Sequence, residues 1–187
     1  MSSLFTKILK NIYNRRDDEL LSKYDRSLPF QDAVIDRWER AKKLGFKEKA
    51  SIYNSAFVFG QVQVGEHTWI GPNVMLDGSG AQLIIGKHCS VSTGVQIYTH
   101  DTVKRSLSGG SEPINKAPVS IGDNTYIGSA TIIAAGVTIG KQVVIAANSF
   151  VNTDIPDRWI VGGSPAHKLG EVVSDENNNI YLDYNKR

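Results

Sequence analysis

The chain carries one cysteine, Cys89, among 187 residues. That scarcity excludes an internal disulfide framework, a multi-cysteine metal site and a CxxC redox pair, and a reducing cytoplasm fits it best. Long apolar runs are missing too, none approaching the roughly 18 residues that a membrane-spanning helix needs. Residues 1–13 place Lys7 and Lys10 among apolar side chains, with no uninterrupted apolar core or small-residue cleavage site, so no secretory signal is expected. Charge excess is slight: 21 basic against 19 acidic residues leave +2, and no basic stripe is interleaved with aromatics, which speaks against a nucleic-acid partner.

What is present falls into two regions. Hydrophobic residues make up 41%, enough to bury the core of one soluble domain. Residues 1–50 hold 12 Lys/Arg and 8 Asp/Glu but only one of the 17 glycines, Gly45, and read as a helical segment. Leu4, Phe5, Ile8, Leu9, Ile12 and Tyr13 recur at helical spacing, predicting an amphipathic helix that packs against the chain's own body; its basic face offers weak membrane association as the alternative. A second helix is expected after Pro29, with Phe30, Val34, Trp38 and Ala41 on one face and Gly45 as its stop.

From Val58 a period of six takes over. Val58, Val64, Ile70 and Leu76 are followed, after a break, by Ile85, Val91 and Ile97, and after another by Ile121, Ile127, Ile133, Ile139, Ile145 and Val151; all 13 in-phase positions are aliphatic. Such a unit cannot bury its own aliphatic residue, so three units form a triangular coil and coils stack into a parallel β-helix. Glycine often follows the aliphatic (Gly65, Gly71, Gly86, Gly122, Gly128, Gly140), as expected where a turn needs unusual backbone angles. The fifth position is small or β-branched, and Cys89 occupies one, which makes it core rather than a reactive thiol.

The beat breaks first around Gly78-Ser79-Gly80, by three residues, and again over Thr99 to Pro118. A structureless excursion that long in a compact repeat has a function, and this one contains His100, Asp101, Lys104, Arg105 and a flexible Ser108-Gly109-Gly110-Ser111. The expected organisation is a helical segment at 1–50, the β-helix at 51–170 with its loop at 99–118, and a tail at 171–187.

The hexad beat, the loop after Ile97-Tyr98-Thr99-His100-Asp101, the stretch Ile121 to Gly128 and the closing Val161-Gly-Gly-Ser-Pro-Ala166 resemble the hexapeptide-repeat acyltransferases, most of all their sugar and polysaccharide O-acetyltransferases. The resemblance covers about residues 55–170. It implies a left-handed β-helix, an obligate homotrimer, and acetyl-CoA bound as co-substrate in a groove between subunits, with no metal required.

A neutral hydroxyl attacks a thioester poorly unless a base takes its proton as the bond forms, and histidine titrates in the right range. His67 and His88 lie at outward positions within hexads and read as solvated surface, and His167 follows the repeats. His100 sits where the beat stops, at the position where the resembling enzymes carry their catalytic histidine. A carboxylate that holds the ring is expected from Asp77, one coil below, or from Asp101, its neighbour in sequence. By resemblance, Ser129, Ala130, Ala146, Ala147 and Asn148 are corner residues that admit the pantetheine arm. Lys141 and Lys168 are the expected phosphate contacts, and Tyr98, Tyr126 and Arg105 the expected acceptor contacts, Arg105 and Lys104 suiting an anionic acceptor.

Acetyl transfer to a sugar hydroxyl in cell-surface polysaccharide synthesis is the function this reading favours. The alternatives are N-acetylation of an amino sugar or other small acceptor, or a non-catalytic trimeric scaffold. A zinc-dependent carbonic anhydrase would need three convergent histidines, and the spacing of His67, His88 and His100 does not supply them.

Overall fold

A computed structural model describes residues 3–184. Met1 and Ser2 of the expected helical segment, and 185–187 of the expected tail, lie outside the described residues.

Helix α1 (Leu4–Tyr24) runs 21 residues, well past the stretch marked out by the apolar spacing. Ser3 caps its start by accepting from the Thr6 amide at 3.2 Å, and Asp25 ends it in the left-handed region, its amide donating to the Leu21 carbonyl. Only Leu20 is buried; of the expected face Leu4, Phe5, Ile8 and Ile12 stay exposed while Leu9 and Tyr13 are partly buried, so that face packs on the chain's own body along one edge only. The contacts run along that edge and the side next to it, where the Tyr13 hydroxyl donates to the Leu28 carbonyl and Arg16 Nε to that of Ala33.

The single helix expected after Pro29 is two helices, α2 (Phe30–Val34) and α3 (Arg37–Lys43). The break is the work of Asp36, whose carboxylate accepts from the amides of Trp38 and Glu39 at 2.8 and 3.0 Å and so starts a new helix. The expected shared face is not buried either: Ala33 and Ala41 are buried, whereas Phe30, Val34 and Trp38 are exposed. Arg40 explains where α3 sits. Its guanidinium donates to the carbonyls of Tyr53 and Ala56, and Phe46 and Ala50 are buried with Ala41 in the core, covering the first rung. Among the described residues no helix is long and apolar enough to cross a membrane.

The repeats form a coil of short parallel strands with three faces. The first face stacks β1 (Ser51–Ile52), β3 (Trp69–Ile70), β5 (Ser90–Val91), β10 (Tyr126–Ile127), β13 (Val144–Ile145) and β15 (Trp159–Gly162). The second stacks the first halves of β2 (Phe57–Val64) and β4 (Met75–Ile85) with β6 (Gln96–Tyr98), β11 (Ile132–Ile133) and β14 (Phe150–Val151). The third joins the second halves of β2 and β4 to β9 (Val119–Ile121) and β12 (Thr138–Ile139). Tyr126 pairs with Val144 and Ile132 with Phe150, three hexads further along the chain, so one rung is three hexads.

All but one of the in-phase aliphatics are buried, Val58 being partly so at the outer rung. Within the rungs, the fifth position has a polar logic. Thr68, Cys89 and Thr125 are buried, and their hydroxyl or thiol donates to the carbonyl of Gly86, Gly122 and Gly140 one rung on, at 2.7, 3.3 and 3.1 Å. Cys89 is thus a core donor in a ladder of hydroxyls, and burial pushes its thiol pKa up.

The glycines after the aliphatics serve a purpose other than the expected one. None of Gly65, Gly71, Gly86, Gly122, Gly128 and Gly140 has a positive φ; the left-handed residues come two positions later, as at His67, His88 and Asn124. Rung spacing selects the glycines: a Cβ on Gly65 or Gly122 would lie 2.6 Å from the backbone of the next rung.

The polar tail is also structured. β16 (His167–Ser174) and β17 (Ile180–Tyr184) form an antiparallel hairpin added to the first face through β15.

Candidate active site

Both breaks in the beat fall at one corner, between the second and third faces, on successive rungs. At the first break β4 slips against β2: Gly60 pairs with Gly78, but Val62 pairs with Leu83. The extra residues bulge outward beside the place where the next rung leaves the coil as β7 (His100–Asp101), α4 (Val103–Leu107) and β8 (Asn115–Lys116). β7 and β8 pair antiparallel, His100 opposite Lys116, so the excursion has a closed base.

Thr99 joins bulge and excursion. It is fully buried; its hydroxyl donates to the Asp77 carbonyl at 2.8 Å and accepts from the amides of Gly80 and Ala81 at 3.2 and 3.1 Å. Asp77, buried, is held by Ser79, whose hydroxyl and amide donate to Oδ1 at 2.6 and 3.0 Å. Its other oxygen, Oδ2, lies 3.7 Å from His100 Nδ1, and that nitrogen is buried with no hydrogen-bond partner among the described residues. The His100 side chain as a whole is 28% exposed. At 3.7 Å the two are close without being hydrogen-bonded, and a proton placed on Nδ1 would face the carboxylate and leave the Nε2 lone pair free. Gly80 permits the arrangement, because a Cβ there would stand 2.5 Å from His100 Cβ.

Asp101 faces other partners. Its Oδ1 accepts from the Val103 amide at 3.0 Å and its Oδ2 from the Asn115 side chain at 2.8 Å, so it ties the two ends of the excursion together. The Asn115 hydrogen bond, followed by that of Val103, holds its carboxyl below the usual range.

The remaining expected residues do not converge on His100 within one chain. Tyr98 lies on the second face, its hydroxyl donating to Gln96 Oε1 at 2.7 Å. Tyr126 is exposed on the first face. Ser129 and Ala130 stack on Ala146, Ala147 and Asn148 at the corner between the first and second faces, where the Asn148 amide donates to the Ser129 carbonyl at 2.8 Å. Small, mostly exposed side chains leave that corner's backbone open to an amide-bearing arm. Lys141 is exposed at the corner between the third and first faces, whereas Lys168 pairs with Glu171 and lies 4.6 Å from the Trp159 ring centre. Arg105 and Lys104 project from α4, exposed. His67 and His88 stack on each other in solvent, ring centres 4.7 Å apart, and His167 is exposed on β16.

Ser79, Gly80 and Thr99 were not among the residues expected from sequence. Their signal was the pair of breaks itself: laid one rung apart at the same corner, the breaks bring these residues against Asp77 and His100.

Comparison with known proteins agrees with the repeat. The family described as the hexapeptide repeat of succinyl-transferase matches residues 118–153. The galactoside O-acetyltransferase of Escherichia coli K12 is 29% identical over 143 residues, covering 65% of this chain and 69% of that protein. A putative colanic acid biosynthesis acetyltransferase of the same organism, WcaF, is 30% identical over 118 residues. The chain spans 62% of the length of that second relative. Among solved structures, a hexapeptide-repeat acetyltransferase of Vibrio cholerae complexed with acetyl coenzyme A is 30% identical, with a TM-score of 0.60 over 91% of this chain and 90% of that one.

Proposed function

Since the chain belongs to the hexapeptide-repeat acetyltransferases, we propose that it moves an acetyl group from acetyl-CoA to a sugar hydroxyl, in cell-surface polysaccharide synthesis in the cytoplasm, with His100 as general base. The observation that carries the reading is the His100–Asp77 pair: a partly exposed imidazole whose buried nitrogen faces a carboxylate fixed by Ser79. His100 Nε2 takes the acceptor's proton as its oxygen bonds to the thioester carbonyl carbon; the C–S bond breaks, and the proton passes to the departing thiolate. Asp77 holds the ring and stabilises the imidazolium formed on the way. Cys89, buried at another corner with a raised thiol pKa, supplies no nucleophile, so transfer is direct.

A left-handed coil assembled as a homotrimer completes the site, because a neighbouring copy can bring its own corner to His100. The small residues Ser129, Ala130, Ala146, Ala147 and Asn148 then flank the pantetheine arm. Lys141 is the better phosphate contact of the two lysines, since Lys168 is already engaged by Glu171. Tyr98, Tyr126 and Arg105 line the acceptor side, and Asp101 positions the excursion rather than the imidazole.

The test is thiol release from acetyl-CoA with a panel of sugars, nucleotide sugars and polysaccharides. His100→Ala should lower kcat by about 10²- to 10⁴-fold, with the Kd for acetyl-CoA little changed. Full activity in that variant overturns the assignment, and release only with amino-group acceptors replaces O-acetylation by N-acetylation.

A further inference from the structure

The first three turns of α1 carry a second surface that acetyl transfer does not use. Leu4, Phe5, Ile8 and Ile12 are 76%, 69%, 49% and 46% exposed. At 100° per residue these four fall within one apolar sector about 100° wide. The side that packs, with Tyr13, Arg16 and Leu20, is the neighbouring sector, so the exposed stripe is additional to the one the fold consumes. Its charge is one-sided. Residues 4–16 contain Lys7, Lys10, Arg15 and Arg16 and no acidic residue, the first acid being Asp17. Lys7 flanks the stripe and Arg15 continues it on the next turn, whereas Arg16 is held by Glu19.

We propose that this segment of α1 lies on an anionic lipid surface, with Leu4, Phe5, Ile8 and Ile12 entering the headgroup boundary and Lys7 and Arg15 meeting lipid phosphates or carboxylates. Charge complementarity selects lipid over a second copy of the chain. A second copy carries the same cationic stretch and a net charge of +2, whereas an anionic bilayer offers an apolar layer beneath a negative one. The segment is roughly 20 Å long at 1.5 Å per residue, enough to lie flat and too short to span. The inference gives the proposed reaction a setting, an acceptor met at a membrane surface, yet stands on α1 alone.

The experiment is sedimentation of the full chain with vesicles of phosphatidylcholine containing phosphatidylglycerol, beside vesicles of phosphatidylcholine alone. Binding to the anionic vesicles only, weakening with salt, is expected. Each exposed cation near such a surface contributes about fivefold to binding, so Lys7→Gln with Arg15→Gln should lower the partition coefficient about thirtyfold. Phe5→Asp with Ile8→Asp should abolish binding, and because both positions are exposed, the melting temperature and particle mass should stay those of the parent. Failure of the parent to bind anionic vesicles, or equal binding by the variants, overturns the proposal. So does a drop in particle mass for Phe5→Asp/Ile8→Asp, which assigns the stripe to a second copy. The readout needs no acetyl transfer, so it fails or succeeds separately from the enzymatic reading.

Discussion

Replacing Gly80 by alanine tests whether the two breaks in the repeat form one device. The added Cβ would stand 2.5 Å from His100 Cβ and 2.6 Å from the Thr99 carbonyl oxygen, where ordinary contact begins at 3.4 Å. Either His100 retreats by about 0.9 Å or the bulge does, and in the second case Ser79 and its hold on Asp77 move as well. A misplacement of about 1 Å in a reacting group can cost about 10²-fold in rate, roughly 2.7 kcal/mol of transition-state stabilisation. Steady-state thiol release should therefore show kcat down about 10²-fold in Gly80→Ala, with KM for acetyl-CoA near that of the parent. Gly109→Ala is the control: its φ of +64° costs a loop residue roughly 1 kcal/mol of strain, but the Cβ meets nothing within 4 Å. Its kcat should be unchanged. A soluble Gly80→Ala protein of parental mass and full kcat would refute the idea that the bulge fixes His100.

Three further outcomes follow from contacts already described. Cys89→Ala should keep full kcat while losing about 1 kcal/mol of stability, from a small cavity and the lost donor to Gly122, and the parent thiol should resist alkylation at neutral pH because burial raises its pKa; chemical denaturation and a thiol-reactive dye read the two. Asp101→Ala should loosen the excursion and speed tryptic cleavage after Lys104 and Arg105. Because the Asp101 carboxyl is held below its unfolded value of about 3.9, the tie is fully present above that pH and is lost only as pH falls through the lower folded value; hydrogen exchange at the Val103 amide checks this. Saturating acetyl-CoA should raise the melting temperature of a particle three times the 20.5 kDa chain mass by light scattering, and an indifferent melting curve would favour the scaffold reading.

The coil was legible because its information is local and repeated. An aliphatic every six residues fixes which side chains point inward, and Ile121, Ile127 and Ile133 are buried accordingly. The nearness of Asp77 to His100 was legible for the same reason, since counting rungs puts Asp77 beside Tyr98, as the strand register does, whereas His100 itself stood out by the break in the beat and the resemblance. What was not legible depended on side chains competing for backbone. Asp36 splits a helix whose apolar spacing runs straight through it, and the spacing alone does not say whether Leu4, Phe5, Ile8 and Ile12 meet protein. Gly80 and Thr99 were hidden because their roles exist only between rungs, across 19 residues of chain.

The corner that carries both breaks has a dynamic consequence. Below the excursion, Met75 pairs with Gln96 and Leu76 with Ile97; on its far side, Leu83 pairs with Val119 and Ile85 with Ile121. These ladders bracket residues 99–118 and close the coil without them, so the excursion can open as a unit of low local stability while the rungs stay intact. Amides of α4 should then exchange orders of magnitude faster than those of β6 and β9 that flank it. On that expectation the exchanging excursion and the protected rung meet at Thr99, whose buried hydroxyl, bonded to the Asp77 carbonyl, is the last contact on the coil's side.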